Sequence, residues 1–132
     1  MKTLLLFAAL SLTAGTSFAH DHSTTVCSPT NKNVCAHLGL DKPLNSKEEG
    51  VFMAHVMTPN DTLVQNFKLD LWMDMGSGHG HGSSPVDMND LGKNKFEISN
   101  AWFVMPGNWL VRMDFEFEGT HQHLQIPIVI KD

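Results

Sequence analysis

Phe67-Lys68-Leu69-Asp70-Leu71-Trp72-Met73-Asp74-Met75 is the stretch from which the fold is read. Its apolar residues stand at odd positions, while Lys68, Asp70 and Asp74 stand at even ones. That period of two predicts a strand with one buried and one wet face. Trp109, Val111, Met113, Phe115 and Phe117 alternate in the same way with Asn108, Arg112, Asp114, Glu116 and Glu118. Leu124, Ile126, Ile128 and Ile130 form a third inward set, whose opposite face carries His121, His123 and Gln125.

Shorter strands are expected at 51–58, 86–88, 95–99 and 102–104, the last joined to the long strand through the turn-forming Met105-Pro106-Gly107-Asn108. In 51–58 either face could be inward, and Phe52 and Val56 are favoured inside, leaving Met53, His55 and Met57 outward. No long stretch beyond the N-terminus has helical periodicity. About seven short strands with turn signals between them predict an all-β, immunoglobulin-like two-sheet β-sandwich.

The N-terminus reads differently. Lys2, an apolar run from Leu4 to Leu12 and the small-x-small Ser17-Phe18-Ala19 predict a cleaved signal peptide over 1–19. Export to the periplasm as a soluble monomer without a membrane anchor is expected. Residues 20–45, rich in Ser, Thr, Asn and Asp, read as an irregular arm, and 46–132 as one β-sandwich domain. Cys27 and Cys35 are the only cysteines. An oxidising compartment favours a disulfide between them, with thiolate ligands grouped around His37 as the alternative. The formal net charge of −5 makes nucleic acid an improbable partner.

His and Met carry the chemistry. Met73-Asp74-Met75 leads into Gly78-His79-Gly80-His81-Gly82, where glycines let the backbone turn so that imidazoles converge. Met105 lies before a turn from which it can approach the same strand end. His121-x-His123 places two rings on one side of a strand, about 6 to 7 Å apart. Cleavage after Ala19 would expose His20-Asp21-His22, whose amine, amides and ring suit square-planar Cu(II) or Ni(II). Thioethers favour Cu(I) and imidazoles Cu(II), so copper is the expected metal. Each set also has an unremarkable reading: a solvated strand face, an incidental loop or a simple tail.

Leu71-Trp72-Met73-Asp74-Met75, His79-Gly80-His81-Gly82-Ser83-Ser84-Pro85-Val86 and Phe103-Val104-Met105-Pro106-Gly107-Asn108-Trp109 together resemble the YtkA-like, FixH-related family of exported domains. The similarity covers roughly residues 50 to 130. The family's compact Met-x-Met-Gly-His-Gly pattern is lengthened here by Ser77-Gly78 and Gly80-His81. The resemblance implies an immunoglobulin-like sandwich and an association with copper handling or cytochrome oxidase assembly.

No Gly-x-Ser-x-Gly elbow, phosphate-binding loop or helical His pair at i, i+4 occurs, so no enzyme is expected. The leading expectation is a copper chaperone or buffer that passes the ion to a membrane or envelope acceptor. The alternatives are an envelope assembly module whose His and Met are incidental, and a copper redox enzyme with His20 as brace ligand.

Overall fold

A computed structural model describes residues 25–132. The expected signal peptide, His20 and His22 lie outside the described residues. Among the described residues nine strands make two antiparallel sheets: β1 (Thr25–Cys27), β2 (Cys35–Gly39), β3 (Gly50–Met57), β4 (Gln65–Asp74), β5 (Gly80–Gly82), β6 (Asp87–Gly92), β7 (Lys95–Ala101), β8 (Gly107–Phe117) and β9 (Thr120–Ile130). The five-stranded sheet runs β1-β2-β3-β7-β6 and the four-stranded sheet β5-β4-β8-β9. With β2, β3, β7 and β6 as strands A, B, E and D, and β5, β4, β8 and β9 as C′, C, F and G, this is the immunoglobulin arrangement. β1 is added at the outer edge of the first sheet.

The alternation read from the sequence holds through the core. Leu69, Leu71, Trp109, Val111, Met113, Phe115, Phe117, Leu124, Ile126 and Ile130 are buried, and Ile128 packs against them. They face Phe52, Ala54, Val56, Phe96 and Ile98 of the other sheet, so Met53, His55 and Met57 point outward, as favoured. Phe103 meets Trp109 edge to face at 5.3 Å between centroids, a geometry the ring quadrupoles prefer.

Two stretches differ from expectation. The arm is not irregular throughout: β1 and β2 join the first sheet, with Val34, Ala36 and Leu38 buried at every second position. The arm is tied down further where the Ser28 hydroxyl donates to Gln122 Oε1 at 2.7 Å in a buried setting. Residues 102–104 form no strand, because the chain leaves the first sheet here after Asn100 takes a left-handed turn (φ 53°). Phe103 plugs the core on the way to β8.

Hairpin chemistry sets the register. Glu118 and Gly119 both have positive φ, the geometry of the two-residue type I′ turn that matches strand twist. It aligns all eleven residue pairs from Gly107↔Ile130 to Phe117↔Thr120. Pro127 is tolerated in β9 because that strand ends its sheet. Among the described residues no helix is long and apolar enough to cross a membrane.

Candidate metal centre

β4 and β5 form a narrow ribbon at one edge of the four-stranded sheet. Trp72 pairs with Gly82, Met73 with His81 and Asp74 with Gly80. One step further, the Met75 amide donates to the His79 carbonyl at 3.0 Å, which carries the pairing on to Met75 and His79. Directly opposed residues, and residues two apart on one strand, project to the same side. Met73, Met75, His79 and His81 therefore share one side of the ribbon.

The glycines explain how this is built. Trp72 projects to the other side, and a Cβ at Gly80 would collide with its indole and with the Met73 carbonyl. The Arg112 guanidinium stands 4.4 Å from the Trp72 ring and donates to both Asp70 oxygens at 2.7 and 2.6 Å. Hydrogen bonding to Asp70 raises the Arg112 pKa. In His79-Gly80-His81-Gly82 the glycines thus make room for Trp72 while the histidines face away from it. The tight turn uses Gly76, Ser77 and Gly78 at φ 82°, 52° and 77°. It is closed by the His79 amide on the Gly76 carbonyl at 2.9 Å and by the Gly76 amide on Asp74 Oδ1 at 2.9 Å.

Within the set, Met73 packs against the core, whereas Met75 is 55% exposed and both histidines are exposed. Met105 reaches the same end of the sheet: Met73 Cε lies 3.4 Å from where a Gly107 Cβ would stand. The Met105 carbonyl accepts from Trp109 Nε1 at 2.9 Å, fixing this loop two residues before Gly107. One half-buried thioether, two exposed thioethers and two exposed imidazoles thus share one corner of the fold.

His121 and His123 do not join them. They lie on the outer face of the four-stranded sheet, near the opposite end of β8 and β9. Asp114, opposite His123, is five residues along β8 from Trp109, which pairs with Met73, a displacement of about 16 Å at strand rise. Asp114 Oδ1 takes His121 Nε2 at 3.2 Å and His123 Nδ1 at 2.8 Å, and Gln125 Nε2 meets His123 Nε2 at 2.9 Å. Both nitrogens of His123 are thereby engaged.

The structure brings together a pair that the sequence reading kept apart. β2 sets His37 directly opposite His55 of β3, on the outer face of the five-stranded sheet. Burial, with Lys95 and then His37 beside it, lowers the His55 pKa against a smaller opposing pull from Asp61, which favours the neutral ring overall. The period-two run Val34, Ala36, Leu38 was the available signal that His37 sits on an outward strand face.

Cys27 and Cys35 form a disulfide across β1 and β2, so neither offers a thiolate. Among the described residues, no three His, Cys, Asp or Glu side chains gather as a metal cage. The chain matches no protein-family model, no curated protein and no solved structure.

Proposed function

We propose that this is a periplasmic copper-binding protein of the YtkA-like kind, a chaperone or buffer without turnover of its own. The observation that carries this reading is the strand pairing of Met73 with His81, continued by Met75 and His79. It offers two thioethers and two imidazoles on one side of an accessible ribbon. Thioether sulfur suits Cu(I) and imidazole suits Cu(II), so the mixed set holds either oxidation state and can release the ion as that state changes. Met73, packed into the sandwich, anchors the site; Met75, His79, His81 and Met105 are the exposed donors that an acceptor can replace one at a time. His20 and His22 would add a Cu(II) position at a processed N-terminus.

The test is copper affinity by chelator competition, for Cu(I) under reducing conditions and Cu(II) in air, on the unmodified chain and on Met75→Ala/His79→Ala. Loss of the tightest site in the double variant supports the placement. Unchanged stoichiometry and affinity refute it.

A second reading, an envelope assembly module, is favoured by a groove of about 1030 Å³ at the same end of the sandwich, lined by Leu40, Pro43, Leu44, Trp109, Ile128 and Val129 among others. Val129 is 66% exposed there. On that reading the chain copurifies with a larger complex and binds copper no more tightly than micromolar.

A further inference from the structure

We propose a second site for a soft monovalent ion, Cu(I), on the outer face of the five-stranded sheet, formed by His37 and His55 with the thioethers of Met57 and Met53. The proposal extends the copper reading to a separate face and does not depend on the ribbon being a site.

Register supplies the geometry. His37 and His55 are directly opposed, and opposed residues of an antiparallel pair hold their Cβ atoms about 4.5 to 5.5 Å apart. Two imidazoles bound to one ion at about 2 Å each need nitrogens only about 4 Å apart, a span within reach of directly opposed side chains when the His55 ring turns toward the Nε2 of His37. Met53 and Met57 stand two residues either side of His55 on the same face. Each is diagonal to His37, a separation of about 7 to 8 Å that long side chains cross. Gly39, opposite Met53, leaves space that Met53 occupies: its Cε lies 3.6 Å from where a Gly39 Cβ would be. The thioether thus leans over β2, one same-face position from His37.

The surroundings select the ion. Thr25 Oγ1 holds His37 Nδ1 at 2.8 Å, which orients the ring and leaves Nε2 to bind, as the outer hydrogen bond of a metal-ligating histidine does. Lys95 is paired with His55 and Glu97 with Met53. The Lys95 ammonium is offset by the Glu97 carboxylate and by Asp61, which acts on His55 in the opposite sense, so the donor atoms rather than the local charge select the ion. Among the described residues no third imidazole, thiolate or carboxylate completes a tetrahedral cage of the kind zinc takes, whereas nitrogen and thioether donors suit Cu(I). The disulfide occupies the adjacent pair, with Cys35 opposite Met57, so nitrogen and thioether donors define the site. His37, Met53 and His55 are half-buried and Met57 is exposed, so an ion enters without unfolding.

Ag(I) tests this, because it mimics Cu(I), is redox-inert and leaves the disulfide intact. The full chain, labelled at its methionine methyls, is titrated with Ag(I) and followed by NMR, with assignments from Met53→Leu and Met57→Leu, which keep size and polarity close to native. The expected result is a shift of the Met57 or Met53 methyl signal that disappears in His37→Gln/His55→Gln while any Met73 and Met75 shifts persist. Movement of Met73 and Met75 alone overturns this site and leaves the ribbon. Movement of Met53 or Met57 without Met73 and Met75 upholds this site and overturns the ribbon. If no methionine signal moves, both fall.

Discussion

The β4–β5 ribbon and the outer face of β8–β9 each carry a His-x-His pair, yet the fold treats them oppositely. His121 and His123 converge on one oxygen of Asp114, and Gln125 takes the far nitrogen of His123. Both ring nitrogens of His123 and the Nε2 of His121 are thus engaged within the protein. His79 and His81 stand exposed on a strand edge beside Met73 and Met75, and among the described residues the side-chain polar contacts of histidine belong to His37, His121 and His123 instead. The same short motif therefore offers open ligand atoms in one place and mostly engaged ones in the other. Residue type and spacing nominate a site; what the neighbouring strand places opposite decides whether its ligands are free.

The largest expected effect separates the two regions directly. Met75→Ala/His79→Ala should weaken the tightest copper site by about 100-fold or more, the upper range seen when even supporting residues of a metal site are removed. His121→Ala/His123→Ala should leave that affinity unchanged. Competition with a chelator of known affinity measures both, and equal losses in the two variants would erase the contrast.

Next in size is the ribbon's construction. Gly80→Ala should destabilise the fold by about 1 to 3 kcal/mol through forced displacement of Trp72, read as a lowered denaturant midpoint, and should weaken copper binding with it. Gly82→Ala, whose Cβ would sit 3.9 Å from Trp72, meets only ordinary van der Waals contact and serves as the control. Equal stability of the two variants would show that Trp72 does not shape the ribbon.

A comparable effect is expected at the arm. Ser28→Ala leaves the buried Gln122 Oε1 without its donor and should cost about 1 to 3 kcal/mol, measured by chemical denaturation. An unchanged midpoint would show that the arm does not depend on this contact.

The smallest effect probes the closed network. Asp114→Asn should change stability by less than about 1 kcal/mol, because these pairs are largely exposed. It should also loosen His121 and His123 enough to add weak Cu(II) binding, visible as a new low-affinity step in the titration. No added step would mean that hydrogen bonding is not what keeps this pair from metal.

Much of the fold was legible because alternation is a direct image of burial. The odd positions of 67–73, the series from Trp109 to Phe117 and the series from Leu124 to Ile130 all turned inward as read, while Met75 lies past the end of β4 and is exposed. β1 and β2 were obscured because their apolar positions are few, and Pro, Asn and Lys separate Cys27 from Val34. What decides them is non-local: pairing with β3 and the hydrogen bond from Ser28 to Gln122.

The candidate site was partly legible. Met73, Met75, His79 and His81 were nominated from composition, but their sharing one side follows from the register of β5, a three-residue strand with no apolar signal. The role of Gly80 depends on where Trp72 lies. His37 and His55 are 18 positions apart in sequence and meet only through strand pairing, which no local pattern encodes.

The measurement closest to the central claim is Cu(I) affinity of the chain by chelator competition, beside a variant carrying Met73→Leu, Met75→Leu, His79→Gln and His81→Gln, which keeps side-chain volume while removing the donors. Nanomolar or tighter binding in the unmodified chain that falls to micromolar in the variant is the result this account predicts. Micromolar binding in both, or tight binding that survives in the variant, would contradict it.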